Sequence, residues 1–108
     1  MIYIGLTIEF LKNFAIGLWM LLPLLLSLTA VIVLLGQIVG RKEGWSRADA
    51  FYWSFITATT VGYGDLRPTV KRSRIIAILI AFLGLTLTGI VISIALRATT
   101  IALEAVRS

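Results

Sequence analysis

The residues with the clearest chemical potential form a short run, Thr60-Val61-Gly62-Tyr63-Gly64, called here the TVGYG segment. Glycine enters left-handed backbone conformations at little steric cost, so glycines at alternate positions let successive carbonyls turn toward the same side. The Thr60 hydroxyl can add an oxygen at one end of this ladder, while Val61 and Tyr63 point their side chains away. A ladder of carbonyl oxygens can replace the hydration shell of a cation. The segment therefore predicts a cation site built from backbone.

One copy of this segment cannot surround an ion. A dehydrated potassium ion needs several oxygens at each level, and a single loop supplies one. Four copies about an axis would complete each ring, so the segment predicts a homotetramer with C4 symmetry. Potassium would then be the permeant ion.

The surrounding sequence belongs in a lipid bilayer. The chain has 108 residues, of which 59% are hydrophobic, and its mean hydropathy is +1.02, which is too apolar for a soluble domain. Residues 13–40 and 75–96 carry no charge, and each run exceeds the roughly 20 residues that cross a bilayer. We expect an all-α membrane protein with two transmembrane helices, an outer helix over 14–40 and an inner helix over 75–98.

A short helix is expected between the two spans. Ser46-Arg47-Ala48-Asp49 fits a capping box with aspartate in place of the usual glutamate, which predicts a helix over 48–59. This stretch is too short to span and too apolar for a surface loop, so we expect it to enter the membrane and return. The TVGYG segment at its end would be non-helical backbone at membrane depth, which is tolerated only where it is buried in protein or lines water.

The first span and the residues before it carry several further signals. Residues 1–13 fit either an interfacial helix or an extension of that span. Pro23 predicts a local kink, because neighbouring groups can satisfy the carbonyl that it frees. Gly36 and Gly40 form a GxxxG pair, a pattern of close helix packing that also occurs by chance.

Composition excludes several classes of function. The chain has no cysteine and no histidine, which removes disulfides, thiolate catalysis and the usual zinc sites. Asp65 and Glu43 have no nucleophile or base beside them in the sequence, so an enzyme is not expected. The net charge of +5 sits at the ends of apolar runs, so a nucleic-acid partner is not expected either. No Arg-rich voltage-sensing helix or soluble ligand domain is recognisable, and the sequence does not indicate what opens a pore.

The stretch from Thr57 to Asp65, TATTVGYGD, followed by Leu66-Arg67-Pro68, resembles the signature of the two-span, pore-loop potassium channels, close to their bacterial pore-only members. The resemblance extends from the first span to about Leu96. It implies a potassium-selective channel, multi-pass in the plasma membrane, with both termini in the cytoplasm. Its parts would be a turret (41–47), a pore helix (48–59), a selectivity filter (60–64), an outer loop (65–74) and a cytoplasmic tail (99–108).

The resemblance also implies roles for single residues. Trp53 matches a tryptophan whose ring nitrogen braces the filter tyrosine, here Tyr63, and Tyr52 stands where many relatives have another aromatic residue. Ordinary apolar packing would explain both residues as well. The implied ion ligands are the filter residues Thr60, Val61, Gly62, Tyr63 and Gly64, with Thr57, Asp65, Tyr52 and Trp53 as their support.

Two positions depart from the pattern of the family. Ile56 occupies a site where some bacterial relatives place a glutamate that pairs with the aspartate after the filter, so Asp65 needs another partner or faces water. We therefore expect inactivation coupled through such a carboxyl pair to be weak. Arg67 lies at the outer mouth, where aromatic residues favour quaternary ammonium blockers through cation–π contacts.

The inner helix is expected to line a cavity and carry a gate. Gly84 matches the hinge glycine of the family, although glycine is common in transmembrane helices. Ile92 and Leu96 are candidates for a hydrophobic constriction, and plain packing would also explain them. The expected lining face has helical spacing and consists of Leu85, Thr88, Gly89, Ile92, Ser93 and Leu96.

Charge counting conflicts with the expected orientation. The positive-inside rule favours the opposite topology, because seven of the ten cations lie between the spans. We follow the family, because a reversed filter would put the cavity on the wrong side. Lipid is an expected partner, and anionic lipid is one candidate. Charges near the cytoplasmic ends could sense acid or anionic lipid, although simple snorkelling is favoured (Glu9, Arg97, Glu104, Arg107).

Two other functions remain open from the sequence. The first is a non-selective cation channel of the same fold, against which Tyr63 argues. The second is a small membrane protein that anchors or regulates a larger complex, which would have no use for a glycine-alternating loop at membrane depth.

Overall fold

A computed structural model describes residues 2–107, and these form four α-helices and no strands. The helices are α1 (Ile2–Met20), α2 (Leu22–Glu43), α3 (Arg47–Ala58) and α4 (Lys71–Arg107). The described chain divides into two compact units. Unit 1 comprises α1, the first turn of α2 up to Leu25, and α4 from Gly89 onward. Unit 2 comprises residues Leu26–Thr88.

The break between α1 and α2 is a single residue. Leu21 N donates to the Gly17 carbonyl (3.1 Å), and Leu25 N donates to the Leu21 carbonyl (3.0 Å), so Leu21 is bonded to the helix on each side of it. Pro23 follows two residues later and has no N–H to donate, which fits the predicted kink. Residues 2–13 are helical and belong to α1, and the choice between an interfacial helix and an extension of the first span stays a prediction.

Three of the four described helices, α1, α2 and α4, are long and apolar enough to cross a membrane, whereas the sequence predicted two spans. The additional candidate arises because residues 2–13 are both apolar and helical. The two membrane passes expected from the sequence stay a prediction.

The predicted inner span is shorter than the helix that contains it, and the predicted outer span covers parts of both α1 and α2. α4 has 37 residues, about 55 Å at 1.5 Å per residue, and includes the end of the expected outer loop and most of the expected tail. The sequence expectation placed helix ends where the apolar runs end, but nothing between Lys71 and Arg107 terminates a helix. α2 continues to Glu43 and ends because Gly44 (φ +75°) adopts a left-handed conformation, with Trp45 N donating to the Gly40 carbonyl (2.9 Å).

Unit 2 has a small core in which α3 packs directly on α2. A Cβ added to Gly36 would overlap the Ser54 hydroxyl, and one added to Gly40 would lie 2.6 Å from the Ala50 Cβ. The GxxxG pair is thus a real packing surface, against two small residues one turn apart on α3. The buried apolar side chains of this core are Ile32, Val39, Trp53, Ala58 and Ile80.

In unit 1, α1 packs on the last part of α4 but remains largely exposed. A Cβ added to Gly17 would lie 2.5 Å from the Ile94 Cγ2, and Ala98 and Ala102 are fully buried. By contrast, α1 has no buried residue of its own. Large apolar side chains on the outside of a helix suit lipid or another protein surface.

We expect Gly36→Ala to destabilise the protein, because the added methyl group must push α3 away from α2. Overpacking of this kind typically costs about 1–3 kcal/mol. Thermal unfolding in detergent would measure the loss. Gly89→Ala is the matched control, since no other described atom lies within 4 Å of a Cβ there. Equal melting temperatures for the two variants would contradict the packing role.

Candidate functional site

The helix that leads into the TVGYG segment begins as predicted. Ser46 has extended backbone angles, and its hydroxyl accepts a hydrogen bond from Asp49 N (3.1 Å). α3 then runs from Arg47 to Ala58, one residue off the predicted range at each end. Thr59 closes the helix by donating its N–H to the Phe55 carbonyl (2.9 Å). The TVGYG segment therefore follows directly after a capped helix.

The TVGYG backbone alternates in handedness. Residues Thr60, Gly62 and Gly64 have φ angles of +67°, +50° and +84°, and no other described residue except Gly44 has a positive φ. The two glycines were predicted from the sequence, whereas Thr60 was not. A left-handed threonine costs about 1–3 kcal/mol and persists only where its surroundings enforce it. Such strain is typical of functional sites.

Two backbone hydrogen bonds hold the start of the segment. Thr60 N donates to the Thr57 carbonyl (3.2 Å), and Gly62 N donates to the Ile56 carbonyl (3.0 Å). Thr57 therefore supports the segment through its backbone. Ile56, where a glutamate was the family alternative, contributes a carbonyl and no charge.

The TVGYG segment lies on the surface of the single chain. All five of its residues are exposed, and Tyr63 retains 72% of its accessible area. Apart from the adjacent residues, no described atom lies within 4 Å of a Cβ built on Gly62 or Gly64. Non-helical backbone with open polar groups cannot face hydrocarbon. At membrane depth the segment would therefore have to line water or be covered by protein.

Asp65 has a partner that the sequence did not identify. The Asp65 carboxylate interacts with the Tyr52 hydroxyl and raises the pKa of the Tyr52 phenol. This phenol replaces the missing glutamate as the neighbour of Asp65. Tyr52 therefore links α3 to the residue that follows the TVGYG segment.

Trp53 lies in the core of unit 2. Its side chain is 3% exposed, and its ring centroid is 5.3 Å from that of Trp45. Packing therefore accounts for much of its environment within one chain. Its expected bond to Tyr63 stays a prediction.

A further supporting residue, Glu43, was missed as part of the site. One carboxylate oxygen accepts hydrogen bonds from Thr69 N and Thr69 Oγ1, both at 2.8 Å, and the other accepts from Val70 N (3.1 Å). These donors immediately precede α4, so the carboxylate also interacts favourably with the positive end of that helix. Glu43 thereby ties the end of α2 to the loop after the TVGYG segment. The partners lie 26 and 27 residues apart, and no local pattern signals such a contact.

The predicted cavity face of α4 is exposed along its whole length in the single chain, while Gly84 is buried. A Cβ on Gly84 would lie 2.5 Å from the Ala58 Cα and would overlap the Ala58 carbonyl, so α4 touches the end of α3 there. Close packing therefore already requires a glycine. Leu66 packs against the core and holds the outer loop there, whereas the side chain of Arg67 is exposed.

We expect Glu43→Gln to loosen the loop between the TVGYG segment and α4, because a neutral amide offers one acceptor oxygen where the carboxylate uses two. Hydrogen exchange at the amides of Thr69 and Val70 should accelerate, with a lower melting temperature. Glu9→Gln makes the same charge change in unit 1 and should leave both amides protected. Unchanged exchange in Glu43→Gln would show that these bonds do not hold the loop.

The chain is similar in sequence to known ion channels. A family model described as "Ion channel" matches residues 19–100. The chain is 41% identical over 76 residues to TWiK family of potassium channels protein 7 of Caenorhabditis elegans, covering 68% of this chain and 14% of that protein. It is 31% identical over 78 residues to two pore potassium channel a of Oryza sativa subsp. japonica, covering 72% and 22%.

A third relative, two-pore potassium channel 1 of Arabidopsis thaliana, is 44% identical over 57 residues, covering 53% of this chain and 15% of the relative. The chain thus spans less than a quarter of the length of each of these proteins. No solved structure matches it significantly.

Proposed function

Because this chain belongs to the ion channel family, we propose that four copies assemble into a potassium-selective pore lined by the carbonyl oxygens of the TVGYG segment. The observation that carries the proposal is the left-handed backbone at Thr60, Gly62 and Gly64, directly after a capped helix. The relatives named as potassium channels support potassium as the permeant ion.

Conduction in this proposal needs no chemical step. Each subunit contributes one oxygen per level, and four subunits form successive rings that substitute for the hydration shell. The Thr60 hydroxyl adds a ring at the inner end, and Gly64 and Asp65 close the outer end. The ion moves down its electrochemical gradient from ring to ring, so the protein acts as a passive channel.

The helix α3 supplies the electrostatics. Its carbonyl end lies at Ala58 and Thr59, next to the TVGYG segment, and a helix carries partial negative charge at that end. Four such ends around an axis would favour a cation in the middle of the membrane. Packing of α3 against Gly36, Gly40 and Gly84 fixes where these ends point.

The proposed bracing of the filter uses three residues of α3. Trp53 would donate its ring N–H to Tyr63, and Thr57 holds the Thr60 amide through its backbone carbonyl. Tyr52 restrains Asp65 at the outer end. Because Ile56 carries no charge, this arrangement lacks the carboxyl pair that would couple the filter to slow inactivation.

The exposed face of α4 would line the cavity below the filter. Its members Leu85, Thr88 and Ser93 would contact water and the ion, and Ile92 and Leu96 would form the hydrophobic constriction that closes by dewetting. The hinge role of Gly84 remains a proposal beside its packing role against Ala58. We further propose the family orientation in the plasma membrane, with cytoplasmic termini and the TVGYG segment toward the outside.

Flux through the purified protein in liposomes tests this function. We expect potassium flux under a potassium gradient, little sodium flux under a sodium gradient, and block by barium. Equal permeability to both ions would favour a non-selective cation channel. Absence of any flux would favour a membrane protein that anchors or regulates a complex.

We expect Gly62→Ala to abolish potassium flux, because alanine strains a left-handed position within the ladder and shifts its carbonyls. Gly44→Ala is the matched control, since Gly44 is also left-handed and also has open space around its Cβ, but lies at the end of α2. Both variants must still form tetramers by size-exclusion chromatography. Retained selective flux in Gly62→Ala would count against the proposed ladder.

We also expect weak block by external tetraethylammonium, because four Arg67 guanidinium groups would repel the cation from the outer mouth. Arg67→Tyr should strengthen the block, since tyrosine offers cation–π contacts. Arg72→Tyr, in the first turn of α4, serves as the control for an added aromatic ring. Potent block of the unmodified protein would refute this assignment of Arg67.

A further inference from the structure

The loop between the TVGYG segment and α4, together with the first turn of α4, carries an excess of positive charge. Residues 65–74 contain four cations and one acid, Asp65. All four cations are exposed, and none forms an ion pair within the part of the chain that the structure describes. We call them the loop cations (Arg67, Lys71, Arg72, Arg74). Four copies of the chain would give this end of a pore a strongly positive potential.

The acids near the loop cations do not remove this excess. The Asp65 carboxylate interacts with the Tyr52 hydroxyl, and the two oxygens of the Glu43 carboxylate accept hydrogen bonds from Thr69 and Val70. Within residues 2–107, neither acid forms an ion pair with a loop cation. Residues 41–74 together hold seven cations and three acids, so this part of the chain stays positive when every acid is counted.

Arg67 is the loop cation closest in the chain to the TVGYG segment. It lies three residues after Gly64, so the two Cα atoms are at most about 11 Å apart. Electrostatic screening in about 0.1 M salt extends over about 10 Å. Leu66 packs against the core of unit 2 and holds the backbone beside Arg67. The Arg67 backbone therefore lies within about one screening length of the end of the segment.

The remaining charges of the chain are close to balance. They are three cations and two acids, and all of them lie in α1 or in the last part of α4 (Glu9, Lys12, Arg97, Glu104, Arg107). Glu9 and Lys12 also form an ion pair (3.9 Å). The charge excess is thus concentrated in the part of the chain that contains the TVGYG segment, and it follows that segment directly.

We propose that the loop cations, above all Arg67, lower the local concentration of potassium at their end of the pore and make conduction asymmetric. This inference rests on the proposed function, because it requires a potassium current. Potassium that enters from the loop side must first be collected against a repelling potential, whereas potassium that leaves on that side is not. Current entering from the loop side is therefore smaller than current in the opposite direction, and the difference grows in dilute salt because screening weakens.

Single-channel recording in planar bilayers, with equal potassium chloride on both sides, tests the asymmetry in the unmodified chain. In about 10 mM salt, where screening extends over about 30 Å, current entering from the loop side should be at least about twofold smaller than current in the other direction. In about 1 M salt, where screening extends over about 3 Å, the ratio should approach one. A ratio that does not change over this range of salt would overturn the proposal.

Chemical modification of Arg67→Cys separates the effect of charge from that of structure. The unmodified chain has no cysteine, so a charged thiol reagent added to one chamber acts at residue 67 alone and shows which side it faces. Trimethylammonioethyl methanethiosulfonate attaches a positive group, sulfonatoethyl methanethiosulfonate a negative group, and methyl methanethiosulfonate a small neutral group. The positive adduct should restore the asymmetry, and the negative adduct should reduce it below that of the neutral adduct.

Two controls accompany this experiment. The same reagents should not change the current through the unmodified chain, and Lys12→Cys, which makes the same charge change in unit 1, should leave the current entering from the loop side unaltered. Equal currents with the positive and negative adducts at residue 67 would overturn the role of Arg67.

Reversal potentials under potassium and sodium gradients, measured on the same channels, separate this inference from the proposed function. Equal permeability to both ions would contradict potassium selectivity while leaving the asymmetry measurable. Selective current that is symmetric in dilute salt would overturn this inference alone.

Discussion

A strained, non-helical backbone at residues 60–64 can persist only if the structure holds it at both ends. The left-handed threonine at position 60 is the clearest expression of this constraint, since nothing in its own chemistry favours that conformation. On its N-terminal side the segment is held by α3. Thr60 N donates a hydrogen bond to the Thr57 carbonyl, and Gly62 N donates one to the Ile56 carbonyl. On its C-terminal side, Tyr52 interacts with Asp65, and Glu43 holds the loop that leads into α4.

The position of α3 depends on glycines, because a residue without a side chain lets neighbouring helices approach closely. Gly36 and Gly40 let α2 lie against Ser54 and Ala50, and Gly84 lets α4 touch the backbone of Ala58. A short helix of 12 residues has little stability of its own, so its position comes from these contacts. Packing at three glycines therefore determines the direction of α3 and, with it, the position at which the TVGYG segment begins. In a tetrameric pore, the same contacts would set the diameter of the ladder.

Much of the surface that is exposed in the single chain suits contact with other molecules. The TVGYG segment, the cavity face of α4 and most of α1 are all exposed in the single chain. Under the proposed function, the TVGYG segment would face the ion path between four copies, the face of α4 would line a water-filled cavity, and α1 would contact lipid or protein.

The sequence by itself determined the features that depend on local pattern. The apolar runs predicted membrane helices, Ser46 and Asp49 predicted the start of α3 to within one residue, and the alternating glycines predicted left-handed backbone. Helix ends were predicted less well, because hydropathy reports where lipid lies and not where helical hydrogen bonding stops; α2 ends at a left-handed Gly44, beyond its apolar run.

Only the tertiary structure decided which residues meet across the chain. The GxxxG pair became a contact surface when Ala50 and Ser54 were found opposite it, and Gly84 acquired a packing role from Ala58. The bond between Glu43 and Thr69 and the interaction between Tyr52 and Asp65 join residues that share no local motif. Such contacts arise from the packing of whole helices against each other, so no single stretch of sequence predicts them.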